Sequence, residues 1–105
     1  MTRGEIHLVS LDPTAGSEIR KTRPCVVVSP DELNAHLSTF IVAPLTTGSH
    51  HYPFRVPCRF AGKSGYVVLD QIWTVDRQRL VRRVGHLDSA TLQTVLALLQ
   101  DMFAA

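Results

Sequence analysis

Hydrophobic and polar residues follow two different rhythms along this chain. From Glu5 to Leu11 they alternate imperfectly, which predicts a first strand. The segment Pro24 to Ser29 carries Cys25-Val26-Val27-Val28, a largely β-branched run of the kind found in buried strands. Thr39 to Thr46 predicts another strand, built on Phe40, Ile41, Val42 and Leu45. Tyr52 to Cys58 reads as extended, and Pro53 and Pro57 put it at a sheet edge, because proline cannot donate to a ladder. Tyr66 to Leu69, then Gln71 to Val75, then Val81 to Leu87 complete the extended segments. After Asp88, a helix N-cap by residue type, the rhythm changes. Leu92, Val95, Leu96, Leu99, Met102 and Phe103 recur at helical spacing and form one apolar stripe on a helix of about fifteen residues.

Many short strands and one terminal helix predict a mainly β fold with a C-terminal helix, its antiparallel strands curved into a small barrel. The chain reads as one domain over residues 1–105, without repeats or linkers. Between the strands, Asp12-Pro13-Thr14-Ala15-Gly16-Ser17 is rich in turn formers and opens an aperiodic connection that runs to Arg23. Connections of that length in a compact domain are usually functional or mobile. Pro30 to Asn34 reads as a short helical turn, and Thr47 to His51, Ala61 to Gly65 and Asp76 to Arg79 as loops or turns.

Composition narrows the class. Hydrophobic residues make up 45% and charged residues 19%, enough for a core and against intrinsic disorder. A net charge of +2 is too small to indicate nucleic acid by itself. Nine of the eleven basic residues are arginine, whose planar fork suits phosphate oxygens; a GC-rich genome would give the same bias. Arg77, Arg79, Arg82 and Arg83 fall close together and can track a phosphate backbone, or simply solvate a turn. Cys25 and Cys58 form no CxxC pair and cannot complete a four-ligand zinc site; they read as reduced, mostly buried and cytoplasmic. Neither a leader pattern nor an apolar run long enough to span a bilayer is visible. His50 and His51 are adjacent and would point opposite ways in a strand, so no metal site is expected. No phosphate-binding loop, dinucleotide fingerprint or nucleophile elbow occurs, and no cofactor is expected.

The remaining candidates are polar groups at strand ends. Arg23 precedes Pro24, which favours extended backbone, so an anchored main chain can aim a guanidinium into a cleft. A surface arginine neutralising Glu18 is the plainer alternative. Thr46 offers a hydroxyl at a strand end, or merely a β-former facing solvent. Glu18 lies among Arg20, Lys21 and Arg23, where a carboxylate stays ionised and can accept a proton, or is an ordinary loop acid. Trp73, Tyr52 and Phe54 can stack bases, although Phe54 is expected in the core.

Several short segments in order resemble the MazF/PemK (Kid) toxins. These are Arg3-Gly4-Glu5-Ile6, Leu11-Asp12-Pro13-Thr14-Ala15-Gly16-Ser17-Glu18, Arg23-Pro24-Cys25-Val26-Val27-Val28-Ser29, Pro44-Leu45-Thr46-Thr47, Tyr52-Pro53-Phe54, and Asp70-Gln71-Ile72 with Thr74-Val75-Asp76. The resemblance spans nearly the whole chain. It implies a homodimeric, PemK-like (SH3-like) barrel and a sequence-specific endoribonuclease acting on single-stranded RNA. It also implies a cognate antitoxin that covers the RNA groove. Carried over by position, Arg23 and Thr46 are the expected catalytic residues, with Glu18 the candidate proton acceptor. Ser17, Arg20, Lys21 and Thr47 are expected along the RNA, as are Asp70, Gln71, Arg77 and Arg79; Asp70 matches an acid given a catalytic role in some PemK-type members. Three features depart from the pattern: His7 replaces a common Trp, Leu69 stands where an Arg precedes the acid, and Ile19-Arg20-Lys21-Thr22 replaces a Gln- and Gly-containing loop. Two other functions fit the same sequence. One is a CcdB-like toxin that inhibits DNA gyrase without catalysis, although the Met102-Phe103-Ala104-Ala105 end lacks the Trp-Gly-Ile associated with it; the other is a catalytically inactive RNA-binding module.

Overall fold

The computed structural model describes residues 1–10, 22–48 and 51–105. Within them the chain forms β1 (Glu5–Ser10), β2 (Thr22–Val27), α1 (Asp31–His36), β3 (Thr39–Thr47), β4 (Arg55–Phe60), β5 (Lys63–Val68), β6 (Trp73–Asp76), β7 (Leu80–His86) and α2 (Ser89–Met102). Two 3-10 turns, Leu69–Gln71 and Arg77–Arg79, flank β6. The order across the sheet is β4-β5-β3-β2-β1-β7, all neighbours antiparallel, and β6 pairs with β3. The sheet is strongly curved but its ladder does not close; among the described residues β4 and β7 end it. The two ends meet through packing instead, since Phe60 of β4 lies directly against Gly85 of β7.

Alternation along the central strands builds two apolar layers, one on each face. Ile6, Val26, Ala43, Leu45, Val56, Val67 and Leu69 are buried on one side, covered by α2 through Val95, Leu92, Leu99 and Met102. Val9, Cys25, Val27, Phe40, Val42 and Val75 are buried on the other, with Trp73 and Leu80 at the margin. The helix stripe packs as its spacing predicts at Leu92, Val95, Leu99 and Met102, but Leu98, outside the expected stripe, packs there in place of Leu96. Asp88 caps the helix, its side chain accepting from the Thr91 N–H. Phe103 differs from the expectation: it follows the last helical residue and is 71% exposed. Among the described residues no helix is long and apolar enough to cross a membrane.

Element boundaries differ from the expected ones: β2 begins at Thr22, so Arg23 is a strand residue paired with Val9 rather than the end of the connection, and β7 runs Leu80–His86. The β4–β5 connection is only Ala61-Gly62, both at positive φ (53° and 76°), the geometry of a tight hairpin turn. Gly65, expected in that turn, is therefore a strand residue of β5. Tyr52-Pro53 precede β4 rather than belonging to it, and Phe54 sits at φ 61° with 36% exposure, so it is not a core residue as expected. Gln71 closes a 3-10 turn instead of extending directly into β6. Pro57 does lie on an edge strand.

Candidate active site

The site grows out of the second apolar layer. On β2, Cys25 and Val27 face that layer, and Arg23 continues the same side two residues earlier, at an exposed position. On β3, Phe40 and Val42 face it, and Pro44 and Thr46 continue the side. The β2–β3 ladder runs Val27↔Val42, Val26↔Ala43, Cys25↔Pro44 and then stops, as β3 takes up β5 at Leu45↔Val67, Thr46↔Tyr66 and Thr47↔Gly65. Arg23 and Thr46 thus stand two residues beyond the last pair on their respective strands, where the sheet splays.

A cavity of about 410 Å³ opens at this splay, lined by Arg23, Pro44, Gln71 and Trp73. It joins a guanidinium, an amide and an indole. Thr46 and Thr47 line a separate recess of about 40 Å³, together with Pro24 and with Leu45, Cys58 and Phe60 of the first apolar layer. Gly65 makes this arrangement fit: a Cβ there would collide with the Thr46 carbonyl oxygen, so only glycine lets β5 approach so closely.

The other expected residues are distributed as follows. Ser17, Glu18, Arg20 and Lys21 lie outside the described residues, as does His50. Asp70 lies on the 3-10 turn beside Gln71, and both its carboxylate oxygens accept from Arg55. Arg79 donates to the Ser10 carbonyl at 3.3 Å, at the point where β1 ends. Arg77 lies at the opposite end of β3, its N–H bonded to the Ser38 carbonyl and its guanidinium 5.0 Å from the centre of the Phe40 ring. Arg23 and Gln71 therefore share one cavity, Thr46 and Thr47 lie beyond the β2–β3 split, and Arg77 is at the other end of β3. Arg55 and Gly65 escaped the sequence reading: neither carries a motif, and each matters through a partner distant in sequence. Trp73 was expected as a stacking group, and it faces the Arg23 cavity.

The titratable groups narrow the chemistry. Burial pushes the Cys25 thiol up to about 12 despite the pull of Arg23, so it is no nucleophile. Burial also raises Cys58, followed in effect by Asp88. A larger cavity of about 600 Å³ lies beside Cys58, Arg59, Tyr66, Asp88 and Thr91, but its acid is engaged as the α2 cap and its thiol is held protonated. Among the described residues no three His, Cys, Asp or Glu side chains are grouped to hold a metal ion.

Residues 2–103 match the family model described as the PemK-like, MazF-like toxin of type II toxin-antitoxin systems. The chain is 38% identical over 103 residues to endoribonuclease MazF9 of Mycobacterium tuberculosis, covering 88% of this chain and 86% of that protein. It is 37% identical over 108 residues to endoribonuclease PemK of Escherichia coli, covering 97% and 81%. A crystal structure of MazE-MazF from Deinococcus radiodurans superposes with a TM-score of 0.83 at 27% identity, covering 97% of this chain and 94% of that one.

Proposed function

The chain belongs to the PemK-like, MazF-like toxins of type II toxin-antitoxin systems, and we propose from this membership and its site that it is a sequence-specific endoribonuclease cutting single-stranded RNA. The observation that carries the reading is the cavity at the splayed end of β2 and β3, where Arg23 shares walls with Gln71 and Trp73. A ribose 2′-OH can attack its own phosphorus when held in line, provided the extra charge on phosphorus is stabilised and two protons are moved. Arg23 supplies two parallel charge-assisted donors for the non-bridging oxygens. Thr46, two residues beyond the last β2–β3 pair as Arg23 is on its strand, supplies a hydroxyl to the same phosphate. Trp73 offers a face on which a base can stack, and Gln71 presents an amide that can pair with a base edge. Glu18 is our candidate proton acceptor, because arginine stays protonated. This chemistry needs no metal ion.

The same reading assigns the chain a cognate antitoxin, a cytoplasmic location and a homodimeric state, the commonest oligomer symmetry. An acidic antitoxin segment that folds over the cavity at Arg23 would exclude RNA from it. Incubating the purified protein with naked RNA in EDTA tests the proposal. Cuts at one short sequence, suppressed by the antitoxin, are expected. Intact RNA alongside inhibition of gyrase would replace the nuclease with a protein-binding toxin.

A further inference from the structure

Asp70 stands beside the cavity yet is committed elsewhere. Its Oδ1 accepts from Arg55 Nε at 3.0 Å and its Oδ2 accepts from Nη2 at 3.1 Å. The same guanidinium lies 4.8 Å from the centre of the Tyr52 ring. Arg55 opens β4, and the residue before it, Phe54, accepts from the Leu69 N–H at 3.3 Å. Leu69 is fully buried. The turn Leu69–Gln71 is thus tied at its first residue by the core and a backbone bond, and at its second by a bidentate ion pair. Its third residue, Gln71, lines the Arg23 cavity. An ion pair this exposed adds little to stability (the Asp70 side chain is 45% exposed). A bidentate pair does fix direction as well as distance.

We propose that Arg55 is a positioning residue: by clamping Asp70 it holds the turn so that Gln71 is presented to the RNA bound beside Arg23. The proposal rests on the endoribonuclease reading. It gives Asp70 a supporting task in place of proton transfer. Consistently, the hydrogen bonds from Arg55 hold the Asp70 carboxyl below its usual range, which makes it a weaker base.

The test uses the full chain and a short single-stranded oligoribonucleotide carrying the principal cut that the wild type makes in a long transcript. Arg55→Ala should raise KM roughly tenfold while kcat stays within about twofold, because misplacement weakens recognition before it affects the reacting atoms. Discrimination against a substrate changed at one base should fall in parallel. Asp70→Asn should do the same, and the double variant should be no worse than either single one. Arg55→Lys should restore only part, since an ammonium cannot form the fork. In RNA-free protein, nitrogen-15 relaxation should show the Gln71 amide loosened in Arg55→Ala. A loss confined to kcat in Asp70→Asn would put Asp70 at the reacting atoms and overturn the proposal. Multiplying losses in the double variant would mean that Arg55 contacts RNA independently, with the same consequence. If the wild type cuts no RNA, the nuclease reading fails, and the Gln71 relaxation alone decides the clamp.

Discussion

At its Thr39 end β3 is paired with β6 on one edge and held on the other by Val28 and Ser29, whose N–H groups donate to Ile41. At its Thr46 end it has parted from β2, and only β5 pairs with it among the described strands. The alternation along β3 is the same throughout, but the outcome differs. Phe40 and Val42 are buried to 1% and 0% exposure, whereas Thr46, on the same side, is partly open and Arg23 on β2 is exposed. One face thus serves as core where it is covered and as candidate site where cover ends. The site inherits its rigidity from the core, because Arg23 and Thr46 each lie within a few residues of buried strand positions.

The sharpest contrast between the two ends comes from Arg23→Ala. Turnover should fall by more than about 10³, beyond the loss of a single neutral donor, while the unfolding midpoint stays unchanged. Arg23→Lys should recover only part of the rate. A parallel loss of fold would merge the two ends into one structural unit. Phe40→Ala is the converse test at the covered end. It should cost about 3–5 kcal/mol in denaturant unfolding, with cleavage retained by the protein that remains folded.

Acid should act through the covered end as well. Glu5 opens β1 at the end away from Arg23, which lies opposite Val9. Burial alone would raise its carboxyl, but hydrogen bonds from His7 (2.9 Å) and Thr2 (2.8 Å) outweigh it and bring the group down to about 2. A carboxyl depressed in the folded state stabilises above its unfolded value of 4.5 and loses that contribution as pH falls toward 2. Roughly 3 kcal/mol should therefore disappear across that window. Urea titrations of the wild type and Glu5→Gln would check this, the variant showing a shallower slope in the same range. Gly65→Ala should cost more than the roughly 1–3 kcal/mol of ordinary overpacking, because the new methyl collides with backbone that cannot swing aside. Because the new methyl meets the Thr46 backbone, activity should fall by more than the stability loss explains.

Much of this was legible in the chain, for reasons that differ by element. Local rhythm and capping chemistry placed α2, from Asp88 through Leu92, Val95, Leu99 and Met102. Pro57 marked the edge strand because its missing donor is a property of one residue. Arg23, Thr46 and Gln71 stand out as candidates only by resemblance to family motifs; their polarity alone would leave them as surface residues. The features that were missed depend on pairing between distant segments. Phe54 reads as core by composition, yet a positive φ turns it outward. Nothing in Arg55 announces Asp70, and nothing in Gly65 announces Thr46; those contacts exist only once β4, β5 and β3 are side by side.

The central claim is that the RNA supplies its own nucleophile and the protein organises charge around it. A substrate with 2′-deoxyribose immediately 5′ of the scissile phosphate, compared with its all-ribose counterpart, tests this most directly. The all-ribose strand should yield a 2′,3′-cyclic phosphate and a free 5′-OH, and the substituted strand should bind with similar affinity but remain uncut. Cleavage of the substituted strand at the normal rate would contradict the account.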